Sequence, residues 1–234
     1  MKEHKPKMLY TIPTFQNPSG ITLSLERRKA IAKLAAKYQM LVAEDEPYRS
    51  LRYEGTALPS IKSFDEEGWV VLMGSCSKVI SPGLRVGFMV GDTTLIRKCT
   101  VCKQSADVHT PSLNQAIVNE FITRGMLKPQ IEKACDVYRQ QMLTMLEELK
   151  KIEAIKYHTN PEGGLFIFAA IDEGQDVVPY FQKAVANNVA FVPGEPFYPD
   201  GGHKNTLRLN FSNADIETIR KGMSILRTCF DGNE

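Results

Sequence analysis

The chain has 234 residues, 43% of them hydrophobic and 24% charged, with a formal net charge of +2. That length accommodates one large or two ordinary domains with a sizeable core, and the balance of residue types excludes disordered and membrane classes. So small a net charge gives no electrostatic case for nucleic acid or an anionic membrane.

The Lys-rich opening, Lys2, Lys5 and Lys7 interrupted by Glu3 and Pro6, reads as a solvated tail. Residues 9–12 form a short strand that runs into Pro13-Thr14-Phe15-Gln16-Asn17-Pro18-Ser19-Gly20, a turn-rich loop. Ser24 caps the next helix, with Glu26 in its first turn and Leu25, Ile31, Leu34, Ala35 and Tyr38 in a helical stripe. Residues 40–43 make a second strand, ending in Glu44-Asp45-Glu46-Pro47-Tyr48. Strand, helix, strand within one crossover length builds a parallel sheet, and ligand sites of such sheets lie at the carboxyl ends of the strands.

A third apolar run, 69–73, ends in Gly74-Ser75-Cys76-Ser77-Lys78, and a Pro82-Gly83 turn leads to a fourth over 84–90. A lysine between two buried strands is expected to be withdrawn from solvent, which favours its neutral amine and equips it to attack a carbonyl. Ser75, Ser77 and Arg85 add hydroxyl donors and a permanent cation, a set suited to a phosphate. Asn17, Asp45 and Lys78 all fall just past strand ends, which is expected to bring them to one edge of one sheet. Taken singly, each has a plainer reading. Asp45 could cap a helix or belong to a solvated cluster with Glu44 and Glu46, and Asn17 before a proline is a common turn residue.

Helices are expected over 93–106, 112–122 and 129–151, the last with Ile131, Cys135, Tyr138, Met142, Met145, Leu146 and Leu149 on one face. After it come a strand over 165–171, a helix over 176–187, strands over 189–192 and 206–211, and a helix over 215–229. The fold class is therefore α/β, a mostly parallel sheet with flanking helices over residues 1–128, followed by a small α+β domain over 129–234.

No apolar run approaches membrane-spanning length and no signal-peptide core is present, so the expected location is cytoplasmic. The five cysteines, Cys76, Cys99, Cys102, Cys135 and Cys229, are expected to be reduced. Cys99 and Cys102 form a lone CxxC in a helical pattern and are expected to be buried or half-buried thiols. His4, His109, His158 and His203 are scattered, and no metal site is expected.

Four motifs now stand in order: PTFQNPSG with Asn17, AEDEPY with Asp45 and Tyr48, SCSK with Lys78 followed by Arg85, and LRLNFS with Arg208. The set, at family-like intervals, resembles the fold-type I, class I/II aminotransferases that use pyridoxal 5′-phosphate, in the branch of kynurenine, 2-aminoadipate and aromatic aminotransferases. Glu162-Gly163-Gly164-Leu165-Phe166 and Pro193-Gly194-Glu195-Pro196-Phe197-Tyr198 look like that branch's small-domain signatures.

The resemblance implies transfer of an amino group from an amino acid to a 2-oxo acid, 2-oxoglutarate first among them, by a homodimer. Lys78 then holds the cofactor aldehyde covalently and afterwards shuttles a proton between the substrate Cα and the cofactor. Asp45 keeps the pyridine nitrogen protonated, and Asn17 and Tyr48 bond the ring oxygen. Ser75, Ser77 and Arg85 bind the phosphate. Arg208, with Asn17, takes the substrate carboxylate through a two-pronged guanidinium, although a strand arginine standing alone would read as exposed.

In that family a substantial portion precedes PTFQNPSG, with a glycine-containing phosphate loop and an aromatic residue stacked on the pyridine. Its absence here implies a truncated member that binds the cofactor weakly or not at all and has little transaminase activity. Ordinary turnover by the 234-residue chain overturns that expectation. Cys76 stands where the family often has an aromatic residue. A second class stays open, since aminotransferase-like domains also form the ligand-sensing halves of winged-helix transcription regulators. Asn17 before Pro18 and the spacing of EDEPY look like the enzymes, because the regulators tend to carry tyrosine in place of that asparagine.

Overall fold

The computed structural model describes residues 4–232. Lys2 and Glu3 of the Lys-rich opening lie outside the described residues, whereas Lys5 and Lys7 are exposed. Two compact units are present. The first holds the chain up to Thr14 together with Thr22–Ala134, and the second holds Phe15–Ile21 with the chain from Cys135 onward.

The first unit carries β1 (Met8–Thr11), α1 (Leu25–Tyr38), β2 (Leu41–Asp45), β3 (Val70–Ser75) and β4 (Gly87–Val90). They form one sheet in the order β1-β2-β3-β4, parallel across the first two pairings and antiparallel across the last. Ser24 starts α1 by accepting a hydrogen bond from the Arg27 amide, and Gln39 ends it in a left-handed conformation. Alternation along the strands sends Leu9, Val42 and Val70 to the side covered by α1, where they pack with Ala32, Ala35, Met40 and Ile61. Leu34, expected in the helix's apolar stripe, is exposed, whereas Arg28 on the same helix is fully buried.

The run 84–90 was expected to be buried. Instead all four residues of β4 are exposed, Phe88 by 56%. The reason is positional, since β4 is an edge strand with a neighbour on one side only. Beyond it follow α2 (Thr93–Asp107), with no buried residue, α3 (Ser112–Thr123), with Val118 buried, and α4 (Leu127–Leu149). The division between the units falls inside α4, after Ala134. Cys102 is exposed rather than buried, because the face of α2 that carries it is uncovered, and Cys99 is half-buried.

The second unit is built on an antiparallel sheet of β5 (Tyr157–His158), β6 (Phe166–Ala170), β7 (Val192–Pro193) and β8 (Thr206–Asn210), in the order β5-β6-β8-β7. The part of α4 after Ala134, α5 (Val178–Ala186) and α6 (Ile216–Asp231) complete it. Asp215 caps α6 through the Thr218 amide, and Ile219, Met223, Leu226 and Phe230 recur at helical spacing on its buried face. The strand expected over 189–192 shrinks to the two residues of β7, since Val189 is drawn back by its amide to the Ala184 carbonyl at the end of α5. No helix among the described residues is long and apolar enough to cross a membrane.

Candidate functional site

Asp45 is the last residue of β2 and lies in register with Met73 of the parallel strand β3. Two residues after Met73, β3 ends at Ser75, and the chain folds into a tight turn. The Cys76 carbonyl accepts from the amides of Ile80 (2.9 Å) and Ser81 (3.3 Å), while the Cys76 amide donates to the Val86 carbonyl. The Ser77 amide donates to Ser75 Oγ at 3.1 Å. Lys78 sits in this turn and is exposed. The expected burial of Lys78 is therefore corrected: its turn lies beside the edge strand β4, and among the described residues no layer covers it.

Ser75 and Ser77 are half-buried and Arg85 is exposed, its Nη1 donating to the Pro82 carbonyl at 3.2 Å. Arg85 closes a one-turn 3-10 helix in the left-handed region, with φ of 54°. A non-glycine residue held there is strained, and such strain is typical of positions where the backbone must point a side chain at a ligand. A cavity of about 390 Å³ in the same unit is lined mainly by apolar residues such as Leu72, Phe88 and Ile122, and of the candidate residues only Ser75 borders it.

The acidic triplet is not a solvated cluster. Glu44 is fully buried and accepts from the Ile61 and Lys62 amides at 2.7 and 2.8 Å. Glu46 is 7% exposed and accepts from Arg28 Nη1 at 3.3 Å and Thr14 Oγ1 at 2.9 Å. Arg28 also donates from Nε to the Leu23 carbonyl, from Nη1 to Pro59, and from Nη2 to the Pro13 carbonyl and Thr14 Oγ1. All the guanidinium N–H donors thus have acceptors, which is how a charged residue survives full burial. Burial pushes the Glu46 carboxyl up, and the Thr14 hydroxyl and Arg28 only partly offset it. Of the three acids, only Asp45 is directed toward the loop edge, where the Tyr10 hydroxyl donates to its Oδ2 at 2.6 Å. Tyr48, three residues on, is buried.

Asn17 belongs to the second unit, where its Oδ1 accepts from Arg208 Nη1 at 2.8 Å. The Asn17-Pro18 peptide is cis. The Arg208 guanidinium lies 4.4 Å from the Phe166 ring centroid and 5.4 Å from that of Phe197, so two aromatic faces and an amide oxygen fix its plane. Arg208 is in register with Phe168 on β6, and Phe166, two residues away, shares that face. Sequence reading took Phe166 and Phe197 as parts of signatures without giving them this task. The arginine's plainer reading, an exposed strand residue, fails because it is half-buried in this clamp.

Two glycines let the Asn17 loop reach this position. Gly164 has φ of +77°, and a Cβ there would lie 2.6 Å from Phe15 Cβ; a Cβ on Gly20 would lie 2.8 Å from the Phe166 carbonyl oxygen. Gly164→Ala is expected to cost about 1–3 kcal/mol of unfolding free energy. Gly174→Ala, with φ of +86° but nothing within 4 Å, is expected to cost less. Urea unfolding of both variants separates the clash from the conformational cost, and equal losses would refute the clash.

Residues 2–226 match the family described as Aminotransferase class I and II. Aromatic-amino-acid aminotransferase 1 of Thermococcus litoralis is 42% identical over 95% of this chain and 54% of its own length. The crystal structure of LysN, an alpha-aminoadipate aminotransferase of Thermus thermophilus complexed with N-(5′-phosphopyridoxyl)-L-leucine, superposes with a TM-score of 0.93 at 38% identity, over 99% of this chain and 60% of that one. An uncharacterized HTH-type transcriptional regulator of Bacillus subtilis, YisV, is 29% identical over 95% of this chain and 46% of its length. The chain thus spans about half the length of the curated relatives it matches. With nearly its whole length matched and the same fold in a solved member, the chain belongs to the class I and II aminotransferase family.

Proposed function

We propose that the protein carrying this chain moves an amino group from an amino acid to a 2-oxo acid, 2-oxoglutarate first among them, with pyridoxal 5′-phosphate. The observation that supports this most directly is the shared edge of β2 and β3. Their parallel pairing delivers a carboxylate at Asp45 and a hydroxyl, amine and guanidinium set at Ser75, Ser77, Lys78 and Arg85 from one end of one sheet. That donor set fits the group chemically: an amine for an aldehyde, hydroxyls and a cation for a phosphate, and a carboxylate for a protonated ring nitrogen.

When bound, pyridoxal phosphate supplies an aldehyde that accepts amines and a ring that withdraws electrons from the carbon next to them. Lys78 would hold that aldehyde and would move the proton at the substrate Cα. Asp45 holds a proton on the ring nitrogen, and Tyr48 donates to the ring oxygen. Ser75, Ser77 and Arg85 bind the phosphate. In the second unit Arg208, held flat by Phe166, Phe197 and Asn17, is prepared to take the α-carboxylate, and the Asn17 amide N–H remains to donate to a ligand oxygen.

A homodimer in the cytoplasm belongs to the same proposal. Exposed apolar side chains on α2, α3 and β4, among them Val101, Leu113, Ile117 and Phe88, supply surface for a second copy, and free cysteines suit a reducing compartment. The test of the reaction is glutamate formation from 2-oxoglutarate by the 234-residue chain, with a panel of amino donors and added pyridoxal phosphate. Formation faster than in cofactor without protein is expected, slow as it is for this chain; a rate equal to that control overturns the proposal.

A further inference from the structure

Tyr10 was not among the residues the sequence singled out, yet it touches Asp45 directly. β1 and β2 run parallel with Tyr10 in register with Ala43, and alternation places Asp45, two residues further, on the same face as Ala43. The phenol therefore reaches past a methyl side chain to the carboxylate, and its hydroxyl donates to Oδ2 at 2.6 Å. That is the length of a hydrogen bond to an ionised oxygen.

A carboxylate at a strand end rotates freely unless something holds it. We propose that Tyr10 is a positioning residue for Asp45, fixing the carboxylate plane through Oδ2 so that Oδ1 faces the cationic ring N–H of the cofactor. This rests on the cofactor reading above. The choice of a phenol has a chemical logic. A lysine or arginine in its place would neutralise Asp45 and compete with a pyridinium for it, whereas a neutral hydroxyl steadies the carboxylate and leaves its charge intact. The phenol stays protonated at any working pH, because burial, the hydrogen bond to Asp45 and its negative charge, with a smaller contribution from Tyr48, push Tyr10 up to about 12. It is therefore a donor throughout.

Two measurements on the 234-residue chain test this. In the first, 13C-labelled tyrosine is titrated by NMR, the Tyr10 signal being the one lost in Tyr10→Phe. Its midpoint is expected near 12 and lower in Asp45→Asn, though not fully back to 10 because burial remains. In the second, pyridoxal phosphate binding is titrated. Tyr10→Phe is expected to weaken it roughly 5- to 10-fold, and to have no further effect in an Asp45→Asn background.

Tighter or unchanged binding in Tyr10→Phe would mean that the phenol merely plugs or ignores the ring site, and overturns the proposal. So does a Tyr10 midpoint indifferent to Asp45→Asn. Failure of the underlying reading looks different: the NMR coupling persists while the wild-type chain binds pyridoxal phosphate no better than Lys78→Ala. Tyr10 is half-exposed on an edge strand, so removing one hydroxyl leaves the fold in place.

Discussion

Arg28→Ala is expected to lower the unfolding free energy by about 3–5 kcal/mol, read from urea midpoints. The guanidinium is fully buried and is the common partner of Glu46, Thr14 and the carbonyls of Pro13, Leu23 and Pro59. Alanine removes every one of those donors and leaves a buried carboxylate whose Oε2 already lacks a hydrogen-bond partner. The loss has a pH signature. Burial already holds the Glu46 carboxyl above its ordinary value of 4.5, and Arg28 is one of the groups pulling it down. Without Arg28 the folded-state value rises further. An acid raised on folding contributes stability below its unfolded value and loses it as pH rises through the folded one. The variant's deficit is therefore expected to be smaller at about pH 4 than at about pH 7. Arg28→Met with Glu46→Leu, which removes both charges, is expected to recover most of the loss. A single variant within about 1 kcal/mol of wild type would show that the network is dispensable.

Why that network escaped the sequence is instructive. Apolar periodicity finds helix faces by looking for leucine and alanine, so it assigned Leu34 to the core and passed over Arg28, whose burial depends on acceptors from three distant segments besides the nearby Leu23 carbonyl. The triplet at 44–46 misled in the same way. Alternation alone puts Asp45 on the opposite face from Glu44 and Glu46, but only the amides of Ile61 and Lys62 and the guanidinium of Arg28 make burial of the flanking acids tolerable. The cap at Ser24 was legible because it is local, lying within three residues of the amide it accepts from. The direct hydrogen bond between Asn17 and Arg208 was not legible from local pattern, since 191 positions separate them, and only the resemblance set both on the substrate carboxylate. Tyr10 was within reach of parity once register is known, because it pairs with Ala43, which lies two places before Asp45 at the end of β2 and shares its face.

Lys78→Ala is expected to abolish covalent capture of pyridoxal phosphate at this turn and to bring glutamate formation down to the cofactor-only background. The argument starts from the turn itself. The Cys76 carbonyl gathers the amides of Ile80 and Ser81, and the Ser75 hydroxyl takes that of Ser77, so the backbone carrying Lys78 is fixed although its side chain is exposed. Lys78 is exposed, so its proposed advantage over the chain's other lysines is proximity to the proposed phosphate donors Ser75, Ser77 and Arg85 rather than desolvation. Borohydride reduction followed by peptide mapping is therefore expected to find the adduct concentrated on Lys78. Prior replacement of Arg85 by alanine is expected to spread it over other lysines, since the phosphate is what brings the aldehyde to this turn. Proton movement by a positioned group contributes about 10²- to 10⁴-fold, which sets the scale of the rate lost in Lys78→Ala. Lys78→Arg keeps the charge but offers no amine for the aldehyde, and is expected to fail equally. An adduct distributed evenly over surface lysines in the wild-type chain, or glutamate formation undiminished in Lys78→Ala, would remove Lys78 from the chemistry and with it the assignment of this sheet edge as the reacting end of the fold.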